Sequence, residues 1–168
     1  MIKGPEFIKA VDAFIAAPKS LAGADDPQWV RSERDIYKFC LKLPIEVDDE
    51  LSGQKLLIQA DPTKDDLVFS VGILFLERCI CRIDFDKGDA HFNHWHPALP
   101  HVAEGSHWHS WELNKNDFKK LGHYKKLRYA SEFRAAKQFD ATLRWYCQER
   151  NIDLGAHGID FPEKGGLI

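Results

Sequence analysis

Six of the chain's eight histidines fall within nineteen residues, as His91, His94, His96, His101, His107 and His109. Imidazole fills a core poorly, and each buried ring nitrogen needs a partner. Clustered imidazoles instead hold metal ions, move protons or bind anions. His107-Trp108-His109 is the sharpest signal in the window. On a strand, residues i and i+2 project from one face, so both rings can reach one ion while Trp108 turns the other way. His94-Trp95-His96 repeats the spacing, although Pro97 works against a regular strand there. Carboxylates stand just upstream at Asp84, Asp86 and Asp89.

Two or three histidines with one carboxylate and an open position make a catalytic zinc or non-haem iron site. Read this way, His107 and His109 are the core ligands of a Zn2+ or other transition-metal ion. His91 or His96 supplies the third ligand, and Asp84 the carboxylate. No cysteine lies in the window, so such a site is rich in nitrogen and oxygen. It should release its metal below about pH 5 as the histidines protonate. A metal-free reading gives Asp84, His91 and Arg82 the catalytic roles. One histidine then serves as general base and another as acid on a phosphodiester, with Arg82 or Lys87 neutralising the phosphate. In a third reading the histidines pack beside tryptophans and bond loop backbone. The isolated His123 and His157 read as structural or surface residues. A calcium loop starting at Asp84 is excluded, because Gly88 falls at its fifth position and Trp95 at its twelfth. Nucleotide-binding glycine loops, H-E-x-x-H and G-x-S-x-G are absent.

The rest of the chain bounds these readings. Its 168 residues suit one domain, 1–168, able to bury a core without staples. The net charge of −3, from 23 basic and 26 acidic residues, supplies no general attraction to nucleic acid or anionic lipid. Lys115, Lys119, Lys120, Lys125, Lys126, Arg128 and Arg134 form the densest basic stretch, which Asp117 and Glu132 break into a solvated face. Cys40, Cys79, Cys81 and Cys147 contain no C-x-x-C and read as buried thiols. With no signal peptide and no apolar run near eighteen residues, the expected setting is the reducing cytoplasm, away from membranes.

Hydrophobic periodicity supplies the elements that must position the histidines. Phe7, Ile8, Val11, Phe14 and Ile15 recur at helical spacing between Pro5 and Pro18. From Asp35 the period becomes two, with Tyr37, Phe39, Leu41, Leu43, Ile45 and Val47 on one face. A turn over Asp48–Gly53 leads to a strand over 55–60. Strands over 67–75 and 79–85 follow, joined near Glu77-Arg78 by a tight turn or a bulge. Ser106 to Leu113 reads as one more strand, with Trp111 and Leu113 continuing the histidine face. Ser131 to Arg150 reads as a helix with Phe133, Ala136, Phe139, Leu143, Tyr146 and Cys147 as its stripe. Asn151 stops it, and 151–168 reads as an extended or frayed tail. Short connections favour antiparallel pairing. The expected fold is therefore α+β, an antiparallel meander of five or six strands with an N-terminal and a C-terminal helix packed on it.

Arg82-Ile-Asp84, Lys87-Gly-Asp89, His91-Phe-Asn93 and His107-Trp-His109 together resemble small uncharacterised bacterial and phage proteins with an R-x-D, H-x-N, H-x-H layout. Some of these look like TumE-type toxins of toxin–antitoxin modules. Trp145-Tyr-Cys147 and Asn151-Ile152 are similar to the ending of the orphan members. The resemblance covers roughly residues 67 to 152, and the insertion from His94 to His101 departs from it. It implies a bacterial or phage gene, and an RNA-directed toxin with an antitoxin partner. Two functional classes follow. One is a metal-assisted or histidine-driven hydrolase acting on a phosphodiester such as RNA. The other is a non-enzymatic inhibitor or adaptor that meets a host protein through exposed Trp95 and Trp108.

Overall fold

The long alternating run read from the sequence forms the middle of the sheet. A computed structural model describes residues 4–121, 126–156 and 158–163. In chain order the elements begin with α1 (Pro5–Ala16), β1 (Lys19–Leu21), β2 (Val30–Arg31), β3 (Phe39–Val47) and β4 (Glu50–Ala60). There follow β5 (Phe69–Phe75), β6 (Arg78–Phe85), β7 (Ala90–Phe92), β8 (Val102–Glu104) and β9 (His107–His109). The last are α2 (Trp111–Leu121), β10 (Ser131–Glu132), α3 (Phe139–Glu149) and β11 (Ile152–Asp153). The fold is α+β. Among the described residues, nine strands share one mixed, mostly antiparallel sheet in the order β10-β9-β6-β5-β4-β3-β1-β11, with β2 also pairing β3. Consecutive strands β3 to β6 pair as a meander, while β1 and β11 are parallel. The strands beyond the expected five or six are mostly two or three residues long, too short to show a period.

Both central hairpins close through two residues in the left-handed region: Asp48 and Asp49 (φ 54° and 61°), then Leu76 and Glu77 (φ 49° and 61°). Such turns match the twist of the strands they join. The expected six-residue turn at 48–53 is thus a two-residue turn followed by strand. Its glycine belongs to an irregularity in β4, where Gly53 takes φ 77° as the register shifts opposite Ile45/Glu46. The second hairpin has both a turn and a bulge, because the register also shifts at Ile73/Leu74. Buried Gln54 pins that turn by accepting the Leu76 N–H at 2.7 Å.

Two other expectations are corrected. The strand holding His107 stops at His109, and Trp111 begins a helix in place of continuing the histidine face. Ser110 makes the switch, its Oγ accepting the Leu113 N–H at 3.3 Å in the manner of an N-cap. The C-terminal helix starts at Phe139, not Ser131. Pairing wins over helical spacing, because Ser131 and Glu132 align with Trp108 and His107 while the Phe133 N–H donates to Ser106 O. Tyr37 also departs from the alternating set, lying exposed before β3 begins.

The core sits on one face of the meander. α1 sets Phe7 and Phe14 against Phe75, with ring centroids 5.6 and 5.3 Å away, and α3 sets Phe139 against Phe69 at 5.0 Å. Asn151 takes φ 52°, and after it buried Ile152, Leu154 and Ile159 hold the described part of the tail down. Phe139→Ala should lower stability by about 3–5 kcal/mol. The readout is the urea midpoint at constant m-value. A loss below about 1 kcal/mol would mean that α3 does not cap the sheet.

Candidate metal centre

The opposite face of the sheet carries the chemistry. β6 and β9 pair so that Arg82 faces His109 and Asp84 faces His107. Alternation then puts all four side chains on one side, with Ile83 and Trp108 on the other. Trp108 is half-buried against Trp145 and Tyr146, with ring centroids 5.7 and 5.4 Å away. That placement removes it from the exposed pair expected for a protein contact. Trp95 is the exposed one, at 94%.

The third histidine arrives on a separate element. β7 and β8 form a two-stranded sheet that brings His91 to 4.6 Å from His109 and 5.5 Å from His107, measured between ring centroids. Each of the three rings is oriented by a backbone carbonyl. His91 Nε2 donates to Arg128 O at 2.7 Å, His107 Nδ1 to Gly105 O at 2.9 Å and His109 Nδ1 to Tyr129 O at 3.1 Å. A carbonyl can only accept, so each ring's other nitrogen is left to act as a ligand or to carry a second proton. One ring nitrogen from each histidine lies within 4.8 Å of the other two.

Asp84 faces this group. Its Oδ2 is 3.4 Å from His107 Nε2 and 3.3 Å from His109 Nε2. His109 Nε2 is shielded from solvent and makes no hydrogen bond. Zinc bonds of about 2.0–2.1 Å at tetrahedral angles set neighbouring ligand atoms about 3.3 Å apart. Arg82 holds the same carboxylate oxygen through Nε at 2.9 Å and Nη2 at 2.7 Å. Gly72, paired with Arg82, gives the arginine room, since a Cβ there would meet Arg82 Cγ at 3.3 Å and Cys81 O at 3.0 Å. Burial alone would raise the Asp84 pKa, but His107, His109 and Arg82 outweigh it and hold the carboxyl well below the usual range. At His107 burial opposes the cation, yet Asp84 and the Gly105 carbonyl prevail and the pKa is raised. At His109 burial wins, helped by Arg82 and His91, and the pKa is lowered. A neutral His109 with Nδ1 protonated presents a bare lone pair at Nε2.

Arg82, Asp84, His91, His107 and His109 are therefore brought together, and His96 is not. Its Nδ1 accepts the Ala98 N–H at 3.3 Å and its ring packs on Tyr129 at 4.7 Å. His123 and His157 lie outside the described residues. Two buried asparagines support the centre without having been given a role in the sequence reading. Asn93 accepts the Ala130 N–H and donates to Pro100 O and Ala130 O. Asn114 accepts the N–H groups of Arg128 and Tyr129 and donates to Ser110 O and Tyr129 O. Both clamp residues 128–130, whose carbonyls aim His91 and His109. An asparagine inside a helix, as Asn114 is, was the available signal, because its side chain competes with the backbone. Compared with protein-family models, curated proteins and solved structures, the chain matches none.

Proposed function

We propose that the chain is a metal-dependent hydrolase built on a single transition-metal ion, zinc foremost, held by His91, His107 and His109. The observation that carries this is the set of three carbonyl-oriented imidazoles converging beside Asp84, with His109 Nε2 buried and unbonded. Carbonyl acceptors behind metal-ligating histidines fix their tautomer and raise their basicity. Three imidazole nitrogens with a carboxylate beside an open position suit zinc. Bound there, zinc supplies Lewis acidity and an acidified water.

We read Asp84 as a neighbour of the fourth position and not as a ligand in it. Its Oδ2 already accepts a hydrogen bond from Arg82 Nε and is ion-paired with Nη2, and coordination would have to displace them. In this reading Asp84 stays ionised and orients the reacting water by accepting its hydrogen bond, while Arg82 keeps the carboxylate in place. Asp84→Asn should then retain about one zinc ion per chain by elemental analysis while losing hydrolytic activity. Loss of the metal in that variant would make Asp84 a ligand and the site a closed, structural one. The native protein, purified without a histidine tag, should also carry about one ion per chain. Protein that stays free of metal after exposure to zinc would refute the reading.

The resemblance to small bacterial toxins supports the same centre, because Arg82, Asp84, His91, His107 and His109 carry it and Asn93 stands behind it. A phosphodiester substrate is less well supported, since the cleft beside Asp84 is acidic. A second reading, a protein-binding adaptor, is favoured by Trp95 alone, exposed at φ 59° near exposed Phe92. Trp95→Ala would then abolish function with the metal retained.

A further inference from the structure

A cleft of about 310 Å3 opens on the histidine face of the sheet, with Asp84 in its wall. Its charged lining is Lys38, Asp61, Arg82, Asp84, Asp86 and Asp89. Both cations are already engaged, Arg82 with Asp84 at 2.7 Å and Lys38 with Asp35 at 3.4 Å. Asp61, Asp86 and Asp89 make no ion pair among the described residues. Each is instead fixed through Oδ1: Asp61 by the Thr63 N–H and hydroxyl, Asp86 by the Gly88 N–H and Asp89 by the Ala90 N–H. With both cations paired, the four carboxylates leave the cleft an excess of negative charge, which concentrates cations and repels anions. The cleft reaches the centre through Asp84, which lines it and whose Oδ2 lies 3.3 Å from the unbonded Nε2 of His109, itself 1% exposed.

We propose that this cleft is the substrate side of the metal centre and that it selects an organic cation, a substrate bearing a primary ammonium or guanidinium group. The inference rests on the hydrolase reading for what happens at Asp84, while the charge preference rests on the cleft itself. A second metal ion is the weaker occupant. Among the described residues, the three histidines are the group of ligand atoms that comes within 4.8 Å, and the cleft carboxylates form no such group. The volume lies near the lower end of small-molecule sites, about 300–1,000 Å3, and suits a short amine. A phosphodiester would bring its negative charge beside three unpaired carboxylates.

Calorimetric titration of the zinc-loaded full chain with agmatine tests this, with neutral butylurea and anionic dimethyl phosphate as controls. Agmatine should bind at least about tenfold tighter than butylurea, and dimethyl phosphate should not bind. The isosteric pair Asp86→Asn and Asp89→Asn keeps the backbone-capping oxygens. It should weaken agmatine by about tenfold or more at unchanged zinc content. Agmatine binding no tighter than butylurea, or undiminished in a folded double variant, would overturn the proposal. Zinc is measured in the same samples. Selective agmatine binding without zinc would sustain the cleft and refute the metal reading, and zinc without selectivity would refute the cleft alone.

Discussion

With His107 and His109 both replaced by alanine, the chain should hold no zinc, where the native protein holds about one ion per chain. The double variant keeps His91 and Asp84, too few ligands for a tight site. Zinc at one hundred times its dissociation constant should stabilise the native fold by about 2.7 kcal/mol and the variant by nothing. His96→Ala is the matched control, because its ring lies on Tyr129 and away from the triad. Equal zinc content in the double variant and the native chain would dispose of the centre. A signed pH dependence accompanies this. The His107 pKa is raised above its ordinary 6.5. Without metal, the proton it holds contributes stability in full below pH 6.5, and that contribution is lost as the pH rises through the raised folded value. Zinc must displace the same proton, so its affinity rises over that window. Above about pH 6.5 melting temperatures should therefore fall with pH in the metal-free chain, while the increment added by zinc grows. An increment that shrinks as pH rises would contradict His107 as a ligand.

Asn114→Ala should damage the fold and the zinc centre together. Asn114 uses all four of its hydrogen-bonding positions on backbone groups of Ser110, Arg128 and Tyr129, at 2.8–3.0 Å. Truncation orphans these buried and part-buried groups, and each carries a desolvation cost of up to about 1–3 kcal/mol. Relaxation of the segment recovers part of it, so a net loss of about 3–5 kcal/mol is expected in chemical denaturation. The Tyr129 carbonyl that orients His109 is released at the same time. Zinc affinity should fall by about 10–100-fold, as it does when an outer partner of a ligand is removed. A variant of reduced stability with native zinc affinity would show that the asparagine supports the fold and not the centre.

The parts of this protein that were legible in its sequence are those governed by short periods. Alternation from Phe39 to Ile45 correctly assigned the buried face of the central strand, and the i, i+2 rule correctly separated His107 and His109 from Trp108. Asp84 stood out as a carboxylate just upstream of the histidines, and Arg82 as a cation beside it. The misses have physical causes. His107 to Leu113 alternates like a strand, and only the hydroxyl of Ser110 betrays the helix start. Phe133 fits a helical stripe, but a backbone hydrogen bond to Ser106 keeps it extended. His96 has the right spacing from His94, yet it lies on a loop facing Tyr129. The carbonyls that aim the rings were invisible because every residue has one. Which of them meets an imidazole depends on where Asn93 and Asn114 fasten the chain.

The parallel pairing of β1 with β11 has a consequence for the order in which the molecule is made. Lys19 aligns with Ile152, and Asn151 reaches back to the carbonyls of Ile15 and Ala16 at the end of α1. As the chain emerges from a ribosome, the meander and the histidine hairpin have their partners long before β1 acquires this one. Contacts so distant in sequence close late and slowly. The N-terminal helix and its strand therefore wait on the sheet's far edge with one side unmet. A released chain ending before Asn151 would have every partner of its histidine centre and an opposite edge still open to other chains.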